Sequence, residues 1–129
     1  MVDAQQMNIF AGLHKQQYAN LNTFRKSGAT VVTPVWFALE NGKVYVMTVN
    51  DSGKVKRIRN NARVQLAPAT RSGQALGPYV DATARILTED EVEAAKAALD
   101  RKYGLLKATF DFFMTLRGTD RAWIEIVPS

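Results

Sequence analysis

The chain has 129 residues, 17 Lys and Arg against 12 Asp and Glu, a net charge of +5, one histidine and no cysteine. Without cysteine there are no disulfides, no thiol catalysis and no cysteine-ligated zinc. No apolar run reaches the roughly 18 residues of a membrane span, and the opening MVDAQQMNIFAGLHKQQ lacks a signal-peptide core, so one cytoplasmic domain over residues 1–129 is expected.

In chain order, residues 3–17 have helical periodicity, with Met7, Phe10, Ala11 and His14 on one face. The lone histidine therefore reads as packed or capping. Residues 18–25 suit a first strand and Lys26-Ser27-Gly28 a turn. A second strand over 30–39 alternates Val31, Thr33, Val35, Phe37 and Leu39 against Val32, Pro34, Trp36 and Ala38. Both sets are largely apolar, which predicts burial on two sides, as in a small barrel. Pro34 cannot donate to a ladder and marks an edge, bulge or local opening. Asn41-Gly42 predicts a hairpin into a third strand over 43–49.

Ser52 is placed to cap a short helix over 53–61, anchored by Val55 and Ile58. A fourth strand is expected over 62–69 and a fifth over 79–87, separated by a polar connection. Thr88 and Glu91 form a capping-box pattern ahead of a helix to Tyr103, with Val92, Ala95 and Leu99 on its stripe. A further helix is expected over 105–116 and a last strand over 121–127. Hairpin-length links between strands favour a mainly β fold with some α: a six-stranded antiparallel barrel with short flanking helices.

Residues 54–63, KVKRIRNNAR, hold five basic side chains and no acid. Three readings stand for them. One is a solvated helix face. Another is nucleic-acid binding, disfavoured because residues 50–65 contain no aromatic. The third is an anion site, where unpaired helix N–H groups join the Ser52 hydroxyl, Gly53, Lys54 and Arg57. Trp36 beside Pro34 is either core or part of a ligand bed. Glu89, Asp90, Glu91 and Glu93 complement a helix dipole. No nucleophile–base arrangement or metal cluster is visible. If the chain is an enzyme, a cofactor carries the chemistry.

The order helix, strand, TPVWF (33–37), hairpin, then S-x-K-x-x-x-I-R-x-N-x-R-V from Ser52 resembles the FMN-binding split-barrel, pyridoxamine 5'-phosphate oxidase-like superfamily. LAPAT at 66–70, ATARILTEDE at 82–91 and KYG at 102–104 point to its deazaflavin-dependent branch. The resemblance covers residues 10–127. It implies a split barrel, a homodimer with cofactor sites between subunits, and hydride transfer between a bound flavin or deazaflavin and a small-molecule substrate. Val32, Thr33, Pro34, Val35 and Trp36 match the segment along the cofactor ring. Thr48, Ser52, Gly53, Lys54 and Arg57 match the phosphate-binding segment, and Gln65 the fourth strand's approach to the cofactor. No catalytic residue is implied. Gly53 stands where many FMN-using members carry arginine, and the C-terminal arginine/histidine signature of pyridoxamine phosphate oxidases is missing. The deazaflavin coenzyme F-420 is therefore expected ahead of FMN. The alternative is a non-catalytic carrier of a flat ligand such as FMN, haem or a tetrapyrrole.

Overall fold

The computed structural model describes residues 13, 16–49, 52–103 and 121–129. The helix expected over 105–116, His14 and nearly all of the helix expected over 3–17 lie outside them. Six strands form: β1 (Tyr18–Phe24), β2 (Thr30–Glu40), β3 (Lys43–Val49), β4 (Arg63–Ala69), β5 (Val80–Ile86) and β6 (Arg121–Pro128). Among the described residues two α-helices, α1 (Gly53–Asn60) and α2 (Val92–Tyr103), accompany them. The strands close an antiparallel barrel in the order β1-β2-β3-β6-β5-β4. No described helix is long and apolar enough to cross a membrane.

The β2–β3 hairpin turns where the sequence places it. Asn41 and Gly42 have φ of 53° and 75°, the left-handed pair that a two-residue hairpin of right-handed twist needs. The barrel interior is filled from every strand by alternate residues, among them Leu21, Val35, Phe37, Val46, Leu66 and Ile124. A second apolar cluster lies outside the barrel wall, where Ala95, Ala98 and Leu99 of α2 cover Ala38, Tyr45, Met47 and Trp123.

This second layer divides β2. In its C-terminal half Phe37 and Ala38 are buried on opposite sides, as the two apolar faces predict. In its N-terminal half the outward residues Val32 and Pro34 remain exposed, because α2 packs only on the other half. The pairing of β2 changes at the same place. Its ladder with β1 runs from Phe24↔Thr30 to Tyr18↔Trp36. Its ladder with β3 runs only from Phe37↔Val46 to Glu40↔Lys43. Over 30–35 the edge of β2 that faces β3 therefore carries no ladder among the described residues. This is the split in the barrel.

The helices are fixed at their starts. Ahead of α2, a 3-10 turn at Glu89–Glu91 closes the predicted box: the Thr88 N–H donates to Glu91 Oε1 at 3.0 Å. Arg85 adds a 2.7 Å ion pair to the same carboxylate. Glu91 is held down to about 2, first by the Thr88 backbone and then by Arg85. For α1, Val55 and Ile58 are buried, and Ile58 enters the barrel core, so the helix closes one barrel end. Ser52 occupies the N-cap position, but its hydroxyl makes no cap bond. The expected cap is corrected to a backbone one, in which the Ser52 carbonyl accepts from the Lys56 N–H at 3.3 Å.

Candidate functional site

The start of α1 combines three features that each ask for an anion. The Ser52 hydroxyl is buried and has no hydrogen-bond partner among the described residues, which leaves a donor unsatisfied at a cost of about 1–3 kcal/mol. The first N–H groups of the helix also lack intrahelical acceptors, and the helix dipole is positive there. Two cations flank the spot. Burial lowers the affinity of Lys54 for its proton, and the neighbouring Arg57 lowers it further. Arg57 is itself pushed down by burial and then by Arg25. Among the described residues, no carboxylate pairs with Lys54 or Arg57.

Arg57 is held by a specific brace. Its Nε donates to Thr23 Oγ1 of β1 at 2.6 Å. Thr23 is 1% exposed and lies on the barrel side of β1, with Ala19 and Leu21. The guanidinium crosses the helix start: a Cβ built on Gly53 would stand 2.6 Å from Arg57 Nη1. Gly53 therefore makes room for Arg57 as well as for whatever approaches the helix.

The unladdered edge of β2 begins beside this brace, since Thr23 is paired with Val31 and Asn22 with Val32. From Val32 to Trp36 is four residues, or ~13 Å of extended chain. Val32 is 49% exposed. Thr33 is half-buried on the barrel side, and the exposed Pro34 faces outward. The Val35 side chain is in the core and can offer a ligand only its backbone. Trp36 is half-buried, packs edge-on to Tyr18 at 6.3 Å and leans on the α2 cluster. Thr48 is buried on β3. Two more pairs in the β2–β3 register would set it opposite Val35, but the ladder has ended by then.

Gln65 lies elsewhere. It accepts from Asn22 Nδ2 at 3.3 Å and donates to Asp81 Oδ1 at 3.1 Å. Val32, Asn22, Gln65 and Asp81 thus form one row across β2, β1, β4 and β5. Asn22 and Thr23 are neighbours on β1 with opposite side-chain directions. The structure therefore brings Ser52, Gly53, Lys54 and Arg57 together and sets the start of β2 beside them. It places Gln65 on the outer face, one strand away from Val32.

Sequence reasoning missed Thr23, Asn22 and Asp81. The available signal was in YANLNTF: a strand whose Asn20, Asn22 and Thr23 are all buried needs partners for each. Asn20 Nδ2 donates to the Gly73 carbonyl at 2.7 Å and to the Tyr79 hydroxyl at 3.1 Å. That pins the 70–79 connection against β1 beside Pro34. At the other end of the barrel, Lys102 Nζ lies 3.5 Å from the Phe37 ring centroid, and burial lowers it to about 8.

Comparisons place this geometry in a family. The family described as pyridoxamine 5'-phosphate oxidase matches residues 6–128. No curated protein matches the sequence. Among solved structures, the heme storage protein HutZ from Vibrio cholerae is 15% identical with a TM-score of 0.68, covering 100% of this chain and 92% of that one. A FAD-binding protein from Mesorhizobium loti is 16% identical with a TM-score of 0.66, covering 99% and 89%. An F-420 reductase is 20% identical with a TM-score of 0.58, covering 93% and 92%. The chain spans only 54% of a longer Agrobacterium tumefaciens protein of unknown function that shares the fold. At these identities the structures bear on the fold alone, whereas the family match runs through almost every residue. On that match, the chain belongs to the pyridoxamine 5'-phosphate oxidase family.

Proposed function

We propose that the chain binds a phosphate-bearing flavin-type cofactor and acts as an oxidoreductase on a small substrate. The observation that carries this reading is the buried Ser52 hydroxyl, without a partner among the described residues, at a helix start flanked by Lys54 and Arg57. In the proposed role Ser52, Lys54, Arg57 and the first N–H groups of α1 hold the phosphate. Gly53 keeps that surface open. Val32 and Pro34 offer an apolar bed, and the unladdered backbone of β2 offers hydrogen bonds to a ring edge. Trp36 closes the far end, Thr48 borders the gap, and Gln65 approaches through Asn22. The bound cofactor would supply the hydride chemistry. The protein's part is to orient the ring and to limit access of water to it.

The deazaflavin coenzyme F-420 is favoured over FMN. The sequence resembles the deazaflavin branch, and Gly53 stands where many FMN-using members carry an arginine. A homodimer is proposed as the working unit. Val32, Leu76 and Tyr79 are the exposed large hydrophobic residues of the described fold. Val32 borders the proposed ring bed, so a second copy covering it would also wall the site.

The fold likeness to a heme storage protein favours a second reading, a carrier that holds a flat ligand without turnover. One titration addresses both. FMN and coenzyme F-420 are added to the protein while absorbance, tryptophan fluorescence and melting temperature are followed. Binding of either, with reduction of the bound cofactor passed to an acceptor, supports the oxidoreductase. Tight binding with no hydride exchange supports the carrier. No response to either at tens of micromolar overturns the flavin reading.

A further inference from the structure

The row of side chains that crosses the outer face beside Val32 has its orientation fixed from one end. That end is Asp81 of β5, and no ion pair competes for it among the described residues. An ionised carboxylate can only accept hydrogen bonds. Gln65 must therefore turn its amide nitrogen toward Asp81, and Nε2 donates to Oδ1 at 3.1 Å. This leaves Gln65 Oε1 facing β1, where Asn22 Nδ2 donates to it at 3.3 Å. Asn22 cannot flip without losing that bond and setting two oxygens against each other. With Nδ2 committed to β4, its Oδ1 is turned away from β4.

Asn22 Oδ1 is buried and has no hydrogen-bond partner among the described residues. The residue as a whole is 5% exposed, and a buried acceptor left unmatched is costly. Both ends of the Gln65 amide are engaged, so the polar atom that the row leaves for a ligand is Asn22 Oδ1. Asn22 pairs with Val32, the exposed residue at the start of the proposed ring bed. Asn20, two positions back along β1, holds a second oxygen of the same kind. Its Nδ2 is committed to the Gly73 carbonyl, and a Cβ built on Gly73 would stand 3.7 Å from its Oδ1. Asn20 therefore lies under the 70–79 connection, and Asn22 is the residue that adjoins the open bed.

We propose that Asp81 is a positioning residue and Asn22 a specificity-determining one: Asp81, acting through Gln65, holds the Asn22 amide with its oxygen toward the bed, and the bound ligand meets that oxygen with a hydrogen-bond donor. On the flavin-type reading, on which this assignment rests, the donor is either the imide N–H of the ring or a hydroxyl of the chain between ring and phosphate. A ligand that brings a methyl group or an acceptor to this point is disfavoured, because the row cannot turn to offer a donor while the Asp81 carboxylate holds Gln65.

The test is a calorimetric titration of FMN and of its deazaflavin analogue into the full chain. Each is used as the parent, as the derivative methylated at the ring imide, and as the analogue whose linking chain carries no hydroxyl. Wild type is expected to bind one of the two altered forms about 5- to 150-fold more weakly than its parent, the scale of a buried acceptor left without a donor. In Asp81→Asn the amide at position 81 can face Gln65 with either end, so the row loses its single orientation and the discrimination should largely disappear. Asp81→Glu keeps the carboxylate and should retain most of it. Position 81 is exposed, and circular dichroism and the melting temperature verify the fold of both variants. Weakening by the methylated ring assigns the donor to the imide, and weakening by the altered chain assigns it to a hydroxyl. Either result, if lost in Asp81→Asn, supports the assignment. Parents that bind while neither altered form is weakened, or discrimination that is equal in wild type and Asp81→Asn, overturn it and leave the flavin reading standing. A chain that binds neither parent overturns both.

Discussion

Gly53→Ala separates folding from anion binding at the start of α1. The glycine has no left-handed φ to preserve, since the positive-φ glycines are Gly28, Gly42 and Gly73. Alanine is therefore compatible with its backbone and should contribute about 0.4–1 kcal/mol of stability through the unfolded chain. The added Cβ would stand 2.6 Å from Arg57 Nη1. The side chain's mobile end must then retreat by roughly 1 Å to reach ordinary van der Waals contact. That movement lengthens the 2.6 Å bond from Arg57 Nε to Thr23, at a cost of about 0.5–1.5 kcal/mol. The two terms nearly cancel, and the melting temperature should barely change. Cofactor affinity should not be spared. An arginine displaced from a phosphate forfeits a charge-assisted contact worth about 1.5–3 kcal/mol, or roughly 10- to 150-fold in Kd. Calorimetric titration of whichever cofactor wild type binds gives the number. A double-mutant cycle with Arg57→Ala tests the cause, because Gly53→Ala should have no further effect once the guanidinium is gone. Unchanged affinity in Gly53→Ala, or an equal loss in the Arg57→Ala background, would refute the argument.

Lys54→Ala should weaken the same cofactor by about 1.5–3 kcal/mol, measured by titration. Its stability should stay within about 0.5 kcal/mol of wild type, because the ammonium it removes is half-buried without a described acidic partner. Glu91→Gln should destabilise the chain in a pH-dependent way. Glu91 is depressed from 4.5 to about 2 by the Thr88 N–H and Arg85, so its contribution is complete above the unfolded value and is lost as pH falls through the folded one. Urea unfolding should show the wild-type advantage at pH 7 shrinking between about pH 4.5 and 2. A constant difference across that range would contradict the assignment.

Local signals read well in this sequence. The Asn41-Gly42 turn, the limits of β3 and the Thr88–Glu91 box follow from chemistry within four residues, and the structure has each of them. The start of α1 was half legible. Position made Ser52 the N-cap, but only the packing of α1 on β1 directs Arg57 across Gly53 to Thr23. The brace joins residues 34 apart, and no periodicity connects them. The row Asn22–Gln65–Asp81 was illegible for the same reason, because it depends on the register of three strands. The two apolar faces of β2 announced burial on both sides. Where that burial stops was set by α2, which covers Ala38 and leaves Val32 open.

The basic run at 54–63 is where the fold changes the meaning of the sequence most. As composition it is one block of positive charge, open to solvent or to an anion and less suited to nucleic acid. On a helix of 3.6 residues per turn, Lys54 and Arg57 fall on one flank and Arg59 on another. Val55 and Ile58 decide which flank is which, because both are buried and Ile58 is fixed in the barrel core. With that face committed inward, Lys54 and Arg57 must lie toward β1 and the open edge of β2, while Arg59 joins Lys96 and Arg121 toward β6. The charge block is thereby divided between two surroundings: one with a buried hydroxyl and a helix start, the other beside Leu87 and Trp123. A single anion would engage only one of them. Substitutions on the two flanks should therefore act independently on anion binding.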